Sequence, residues 1–425
     1  MASDWSQVPI SEVSSIYIGG TPSRSVPEYW GADIKWASAR DVANCRFRYI
    51  RDTQESISTL GLKNSAAKVL DKDTILLTAR GTVGAICMLA ESMAFNQTCY
   101  GLVAKENADP TYLYYAIRAS LNEINAISYG TVFNTITTSS FDALNIPLPP
   151  LVEQRTIAHI LGTLDDGIEL NRRMNQTLEA MAQTLFKSRF VDFDPFRHQG
   201  MQDSPLGPIP KGWGHISLGR FAGLDKGVSY KGKFLSDDGL PMINLGCFLG
   251  RGEFSSQNLK HYDGDYDDRH LVYPGDVVIA NTDITQKREV LGSPALVPPS
   301  ESYPSYLFTH HVYAMRFDTK HRHWKTYVFF ALLQAAFRER ATGFATGTTV
   351  LALPRDAVLD YQVVNPGDAL IREFTEQIEP MLATKYANDK QSCTTALLRD
   401  ALLPRLLSGE IRVKDAEKSI KEGIT

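Results

Sequence analysis

An internal repeat constrains the fold of this chain more than any other feature of its sequence. The segment LDKDTILLTARGTVGAICML, from Leu70, has a counterpart in VYPGDVVIANTDITQKREVLGSPALV, from Val272, and both place an aspartate ahead of an apolar run. AFNQTCYGLV, from Ala94, and LFTHHVYAMRF, from Leu307, form a second matching pair, and an aromatic helical segment follows each of them. The repeat predicts two globular units of the same design.

A glycine-threonine loop closes each repeat at a fixed distance from a proline. Gly130 lies 19 positions before Pro149, and Gly347 lies 19 positions before Pro366. Because proline cannot donate to a strand ladder but is tolerated where a helix starts, a helix is expected to begin after each proline. The small hydroxyls of the two loops either bind a ligand or only form a tight turn.

The first helix carries a heptad pattern over about four heptads, which is typical of a coiled coil. Its seam is formed by Ile157, Leu161, Leu164, Ile168, Asn171, Asn175, Leu178, Ala182 and Leu185. Gly162 and Gly167 weaken the pattern by about 1 kcal/mol each relative to alanine. Asn171 and Asn175 either fix the register of paired helices or form a solvated stretch of the seam.

The second helix has a looser pattern. Its expected seam residues are Ile371, Phe374, Ile378, Leu382, Tyr386, Cys393, Leu397 and Ala401. Pro380 and Pro404 lack backbone donors and predict a kink or break within this helix. Since the two halves are related by a repeat, the two helices are expected to lie antiparallel.

These features predict an α+β fold in which two repeated globular α/β units, related by a pseudo-two-fold axis, are separated by two long antiparallel helices. The linker between the halves, which contains four prolines and three glycines from Asp192 to Trp213, is expected to be an extended connector. The predicted segments are a globular unit at 1–150, a helix at 151–191, the linker at 192–212, a second unit at 213–366, a second helix at 367–411 and a charged tail at 412–425.

Composition places the chain among ordinary globular proteins, with 43% hydrophobic and 22% charged residues. No apolar run is long enough to cross a bilayer, and the first residues lack a secretory signal, so we expect a cytoplasmic protein without membrane contact. The five cysteines include no CxxC pair and favour reduced thiols. With a net charge of -4, any surface that binds nucleic acid must be local.

Motifs for catalysis or metal binding are weak throughout the chain. GVSYKGKF, from Gly227, nearly matches a phosphate-binding loop but has Phe234 where the magnesium-binding hydroxyl belongs. The histidine pairs His310-His311 and His321/His323 lack further ligands at suitable spacing. Neither the [DNS]PP[YFW] tetrad nor the FxGxG motif of amino-methyltransferases occurs. We therefore predict no catalytic residue and no metal site.

Two stretches are suited to binding phosphates or base edges. In RDVANCRFRYIR, Arg46 and Arg48 alternate with aromatic residues, which on a strand would place both guanidiniums on one face. The alternative is an ordinary solvated strand face. A basic loop around Tyr230, with Lys226, Lys231 and Lys233 as its cations, is suited to phosphate contact.

Four stretches together resemble the DNA-specificity subunit of type I restriction-modification systems. They are GGTPSRSVPEYWGADIKWASARDV from Gly19, the glycine-threonine loop, IPLPPLVEQRTIAHILGTLDDGIELNRRM from Ile146, and LEAMAQTLFKSRFVDFDPF from Leu178. The second half departs from the pattern, with VVNPGDALIREF where the PLPPxxEQ motif is expected.

The resemblance implies two target recognition domains that each read one half of a bipartite site in double-stranded DNA, held apart by the paired helices. It also implies two modification subunits that methylate adenine with S-adenosylmethionine, and two motor-nuclease restriction subunits that use ATP and magnesium. This chain itself is expected to bind no cofactor and to guide a phage-defence complex without an active site of its own.

The expected DNA-binding residues follow from charge, strand phase and the glycine-threonine loops. They are Arg40, Arg46, Arg48, Arg80, Thr131, Asn134, Lys226, Tyr230, Lys231, Lys233, Lys287, Arg288, Thr348 and Thr349. The expected helix-pairing residues are Ile157, Leu161, Leu164, Ile168, Leu178 and Leu185. Alternative functions are a coiled-coil adapter for a modification-only methyltransferase, a protein-binding scaffold, and a bifunctional enzyme that carries its own methyltransferase or nuclease.

Overall fold

The computed structural model describes residues 5–127, 135–283, 289–347 and 350–411 of the 425 residues. The chain divides into two compact units. Unit 1 lies within residues 1–173 and 389–425, and unit 2 comprises residues 174–388. Each unit thus contains one globular domain and one part of each long helix. No helix among the described residues is long and apolar enough to cross a membrane.

Unit 1 begins with a mixed α and β domain. Its strands are β1 (Ser6–Pro9), β2 (Ser14–Ile18), β3 (Trp30–Ala37), β4 (Tyr49–Ile50), β5 (Glu55–Ile57), β6 (Val69–Leu70), β7 (Ile75–Thr78), β8 (Ile86–Leu89), β9 (Met93–Phe95), β10 (Cys99–Ala104) and β11 (Asn145–Leu148). Its helices are α1 (Ile10–Val13), α2 (Ala39–Asn44), α3 (Thr59–Lys63), α4 (Pro110–Ile127) and α5 (Ser140–Ala143), and the first long helix is α6 (Leu151–Phe190).

The linker and unit 2 contain the remaining elements. The strands are β12 (Met201–Gln202), β13 (Ile209–Pro210), β14 (Gly214–Ser217), β15 (Ala222–Lys226), β16 (Leu235–Ile243), β17 (Phe248–Gly250), β18 (Glu253–Phe254), β19 (Lys260–Tyr262), β20 (Leu271–Val272), β21 (Val277–Ala280), β22 (Thr282–Asp283), β23 (Pro294–Leu296), β24 (Tyr306–Phe308), β25 (Val312–Phe317), β26 (Leu351–Ala352) and β27 (Gln362–Asn365). The helices are α7 (Lys325–Leu332), α8 (Ala335–Gly343), α9 (Arg355–Leu359) and the second long helix α10 (Asp368–Leu407).

The two domains share the same strand order apart from β4, which has no counterpart in unit 2, and this confirms the predicted repeat. In unit 1 the sheets run β2-β10-β7-β8-β4 and β5-β3-β9-β6, and in unit 2 they run β15-β25-β21-β23 and β19-β16-β24-β20. The parallel pair of β3 with β9 corresponds to the parallel pair of β16 with β24. In each globular domain the first strand pairs with the last one, which precedes a long helix: β1 pairs with β11, and β14, the first strand after the linker, pairs with β27.

A buried glutamine fixes the start of the first long helix. The side-chain oxygen of Gln154 accepts a hydrogen bond from the backbone N–H of Asp109 at 2.8 Å. Its Nε2 donates to the carbonyls of Asn107 at 3.1 Å and Pro149 at 2.8 Å. These bonds tie the first turn of α6 to the start of α4, which explains why a glutamine follows the proline cluster.

The two long helices are antiparallel within each unit. In unit 1, Asp165 pairs with Arg399 and Asn171 donates to Gln391 at 3.1 Å. In unit 2, Glu179 pairs with Lys385 and Arg189 with Glu373. Residue numbers rise along one helix as they fall along the other, so the predicted antiparallel arrangement is confirmed inside both units.

The predicted seam of α6 is largely buried. Ile157, Leu161 and Leu164 belong to the core of unit 1, together with Leu402 and Leu406 of α10. The seam residues Ile168, Leu178 and Leu185 are half-buried. Asn175 accepts a hydrogen bond from Asn388 of α10 at 2.9 Å, so the seam asparagines are paired across the helices rather than solvated.

Part of the prediction for the second long helix is wrong. α10 continues through Pro380 and Pro404, so the helix is not broken at either proline. The expected seam residues after Tyr386 do not face α6: Cys393, Leu397 and Ala401 are exposed. The face toward α6 carries polar side chains instead, among them those of Asn388 and Arg399, and a pattern of apolar residues does not reveal such a seam.

The linker is also more ordered than an extended connector. It forms a 3-10 helix at Asp194–Gln199 and the hairpin of β12 with β13. Phe193 and Phe196 pack their rings against Trp213, with centroids 5.7 and 4.9 Å away. These apolar residues join the linker to the core of unit 2, which a count of prolines and glycines does not predict.

Candidate nucleic-acid interface

In unit 1, several loops meet around the turn that joins β9 to β10. The backbone N–H of Gly20, just after β2, donates to the carbonyl of Phe95 at 2.9 Å. The N–H of Ala79, after β7, donates to Thr98 at 2.8 Å. Ile136, which follows the glycine-threonine loop, donates to Ala79 at 3.0 Å. We call the surface formed by residues 19–24, 79–84 and 96–98 loop face 1.

Unit 2 repeats this arrangement around the turn from β24 to β25. Val228 donates to the carbonyl of Phe308 at 2.8 Å, and Asn281 donates to His311 at 2.9 Å. Leu353, after the second glycine-threonine loop, donates to Asn281 at 2.8 Å. We call the surface formed by residues 226–234, 281–283 and 309–311, with Lys260 beside it, loop face 2. The two faces have the same backbone framework.

A glycine permits the close approach of the first loop in each face. A β-carbon on Gly19 would lie 2.4 Å from the carbonyl oxygens of Phe95 and Asn96. A β-carbon on Gly227 would lie 2.0 Å from the carbonyl oxygen of Phe308. The near match to a phosphate-binding loop at Gly227 is therefore the counterpart of the GGTPS stretch in the first half.

Loop face 1 carries cationic and hydrogen-bonding side chains. The guanidinium of Arg24 lies 3.7 Å from the centroid of the Trp30 ring, and it pairs with Glu55. Arg80 is exposed on the loop between β7 and β8. The hydroxyl of Thr21 donates to the side-chain oxygen of Gln97, an exposed residue at the tip of the turn. Cationic and hydrogen-bonding groups thus share one surface.

Loop face 2 is richer in positive charge. Lys226, Lys231 and Lys233 are exposed. The amine of Lys260 donates to the hydroxyl of Tyr230 at 2.8 Å and lies 4.9 Å from the centroid of its ring. This arrangement places the basic loop predicted around Tyr230 next to a cation from β19 that the sequence did not single out.

Two adjacent histidines stand at the centre of loop face 2. The rings of His310 and His311 have centroids 3.8 Å apart, and Nδ1 of His311 is 2.8 Å from the hydroxyl oxygen of Thr282. Burial lowers the pKa of His311, and the nearby His310, Lys226 and Lys260 lower the pKa further. The neutral imidazole is therefore favoured, and it can both donate and accept a hydrogen bond.

The arginines near β4 do not form the strand face that was expected. Both Arg46 and Arg48 precede β4, which begins at Tyr49. The Arg48 side chain is only 8% exposed, because its guanidinium pairs with Asp166 of α6 at 2.6 Å. Arg46 is exposed, and its carbonyl accepts a hydrogen bond from Arg172 of α6 at 3.5 Å. The prediction that both guanidiniums lie on one face of a strand is wrong, since both arginines precede β4 and Arg48 joins the domain to the long helix.

The other predicted residues are divided between surface and undescribed segments. Arg40 is exposed on α2. Six predicted residues lie outside the described part of the chain: Thr131, Asn134, Lys287, Arg288, Thr348 and Thr349. Sequence reasoning missed Arg24, Gln97 and Lys260, and it treated the two adjacent histidines only as strand residues. Aligning GGTPS, from Gly19, with GVSYK, from Gly227, in the repeat would have indicated loop face 1.

Among the described residues, no group of three or more His, Cys, Asp or Glu side chains is placed to hold a metal ion.

Known proteins are similar to this chain in sequence and in fold. Residues 2–180 match the family model described as type I restriction modification DNA specificity domain. The MjaIX specificity subunit of a type I restriction enzyme from Methanocaldococcus jannaschii is 27% identical, over 97% of this chain and 94% of that protein. The MjaVIII specificity subunit of the same organism is 22% identical, also over 97% of this chain and 94% of that protein.

A solved structure supports the same fold. The type I restriction-modification S subunit from M. genitalium superposes with a TM-score of 0.55 at 16% identity, covering 95% of this chain and 96% of that one. Along almost its whole length the chain is therefore similar to DNA specificity subunits of type I restriction-modification systems, and residues 2–180 match the model of their specificity domain.

Proposed function

We propose that this chain is the non-catalytic subunit that reads a bipartite site in double-stranded DNA, with loop face 1 reading one half and loop face 2 the other. One observation carries the proposal: the same backbone framework occurs in both units but presents different side chains. Loops on a rigid scaffold are common places for binding residues. A shared framework with different side chains is suited to two different half-sites.

The side chains of the two faces fit the two kinds of contact that DNA requires. Exposed cations such as Lys226, Lys231 and Lys233 can neutralise phosphates, which positions the protein without reading sequence. Amide and imidazole groups such as those of Gln97 and His311 can bond to base edges, which carry the sequence. Because the net charge of the chain is -4, such cations must act locally.

The chemistry of the complex then belongs to partner subunits. We assign adenine methylation to two modification subunits that use S-adenosylmethionine, and translocation and cleavage to two motor-nuclease subunits that use ATP and magnesium. The similarity to type I specificity subunits supports this assignment. The chain supplies the DNA reading and binds none of these cofactors itself.

A selection experiment tests this function. The chain is purified with its modification subunits, and bound duplexes are selected from a random library. We expect a motif of two short blocks separated by unread bases, and no motif when the chain is omitted. Absence of any motif that depends on the chain would contradict the proposal. Adding the motor subunit, ATP and magnesium distinguishes a restriction system, which cleaves the DNA, from a modification-only adapter.

A pair of lysine variants provides a control for the selection. Lys231→Ala on loop face 2 should weaken binding to all sequences and reduce the salt slope by about one unit if it touches a phosphate. Lys211→Ala removes an exposed lysine from the linker and should leave affinity and salt slope unchanged. Equal effects of the two changes would contradict the placement of DNA on loop face 2.

A further inference from the structure

The two loop faces differ most clearly at the tip of one turn. In unit 1 the N–H of Cys99 donates to the carbonyl of Asn96 at 3.2 Å, so Gln97 and Thr98 are the two central residues of a β-turn. In unit 2 the N–H of Val312 donates to Thr309 at 2.9 Å, so the central residues are His310 and His311. These dipeptides occupy equivalent positions in the repeat.

Backbone bonds hold each turn in place independently of its central side chains. Asn96 donates to the carbonyl of Ala37 at 3.0 Å, and Thr309 donates to that of Ile243 at 2.9 Å. The bonds from Ala79 to Thr98 and from Asn281 to His311 fix the far side of each turn. The central side chains can therefore change without loss of the turn.

In unit 1 the exposed group at the tip of the turn is the side-chain amide of Gln97. Thr98 donates its hydroxyl to Oδ1 of Asn96 at 2.9 Å, so this hydroxyl already has a partner within the turn. Gln97 is exposed, and its side-chain oxygen accepts from the hydroxyl of Thr21, which orients the amide. An oriented glutamine presents a donor and an acceptor together, and this pair matches N7 and N6 of adenine in the major groove.

The central side chains of unit 2 offer different groups at the same place. His311 is held by Thr282 at 2.8 Å, and the ring of His310 lies against it. Nδ1 of His310 is buried and has no hydrogen-bond partner among the described residues. The cations Lys226 and Lys260 act on His311, so acceptor atoms of a base or phosphate are favoured beside this pair.

We propose that the turn-tip dipeptides Gln97-Thr98 and His310-His311 determine specificity, with Gln97 recognising an adenine in one half-site and the histidine pair recognising a different base in the other half-site. This inference rests on the proposed function, because it assigns base reading to particular residues of the two loop faces. It follows that the two half-sites differ at the base pair that faces the turn.

Reciprocal exchange of the two dipeptides tests the inference. The complex with modification subunits is prepared with the wild-type chain, with Q97H/T98H and with H310Q/H311T, and methylated adenines are mapped on genomic DNA. Each double variant should lose preference at one base pair of one half-site by roughly 5- to 150-fold, with the other half unchanged. Q54H alters an exposed glutamine of unit 1 outside loop face 1 and should leave both half-sites as they are.

The outcomes separate this inference from the function beneath it. If the wild-type chain directs methylation to a bipartite motif and both double variants retain that motif in full, the inference is overturned while the proposed function stands. If the wild-type chain directs no motif, the proposed function fails. Q97E provides a test if a double variant fails to fold, because it keeps the acceptor oxygen of Gln97 and removes the donor. It should lose the adenine preference, and retention of that preference would overturn the inference.

Discussion

A β-carbon placed on Gly162 would lie 2.4 Å from Nη1 of Arg48. This glycine lies inside a long helix, where it is unfavourable by about 1 kcal/mol relative to alanine. Its lack of a side chain makes room for the guanidinium, which bonds to Asp166 at 2.6 Å and lies 3.5 Å from the hydroxyl of Tyr115. The glycine that weakens the helix therefore permits the domain of unit 1 to join it.

Alanine substitutions at the two glycines of α6 should have opposite effects. Gly162→Ala must displace the Arg48 guanidinium, so we expect a net loss of up to about 2 kcal/mol in unfolding free energy. Gly167→Ala meets no atom within 4 Å and should stabilise the chain by about 1 kcal/mol. Urea unfolding of the full chain measures both. In an Arg48→Ala background, Gly162→Ala should become stabilising, and equal effects in both backgrounds would disprove the steric explanation.

Gln154→Ala should destabilise unit 1 by about 1–3 kcal/mol, because buried backbone groups of Asp109, Asn107 and Pro149 lose their partner. Gln176→Ala is the matched control, since this glutamine is exposed on the same helix. Denaturant unfolding compares them. A similar small effect of both substitutions would show that Gln154 does not hold the helix start.

Phe186→Ala should destabilise unit 2 by about 3–5 kcal/mol. The Phe186 ring is 2% exposed, and it packs against Tyr327 at 5.4 Å and Phe374 at 5.6 Å between centroids. Phe344→Ala removes a ring that is 46% exposed and should cost less than about 1 kcal/mol. Thermal and urea unfolding give the comparison, and comparable losses would contradict the placement of Phe186 at the centre of this cluster.

The stability of unit 2 should depend on the titration of His311. Because burial lowers its pKa in the folded chain, the unfolded chain takes up the proton more readily. The stabilisation from the neutral ring is present above about pH 6.5 and is lost as the pH falls through the lower pKa of the folded state. His311→Thr should thus gain stability relative to the wild type between pH 7.5 and 5.5 in urea unfolding. A relative loss would mean that the pKa is raised instead.

Sequence alone predicts the features that depend on local pattern. The repeat, the start of a helix after Pro150 and the buried positions Ile157 and Leu161 all follow from residue order and spacing. The polar seam of α10 does not, because Asn388 and Arg399 pair with residues of α6 that are distant in sequence.

The loop faces illustrate the same limit. Gly20 and Ala79 meet the turn at Phe95 and Thr98 only because β2, β10 and β7 are neighbours in one sheet. The alternation of Arg48 with aromatic residues predicts an exposed side chain. In the structure it is buried and pairs with Asp166 of α6, which is distant in sequence. Strand order and helix docking are non-local, and they decide which charged side chains remain at the surface.

If the two units read separate half-sites at a distance set by the long helices, lengthening both helices should widen the gap between the half-sites. Seven residues of heptad pattern are inserted into both helices, after Arg173 and after Asn388, where the chain divides between its units. Each insertion adds about 10 Å of helix, or about three base pairs of DNA. Methylated adenines are then mapped with the wild-type and lengthened chains. We expect both half-sites to persist with a gap longer by about three base pairs. An unchanged gap with methylation retained would show that the helices do not set the spacing.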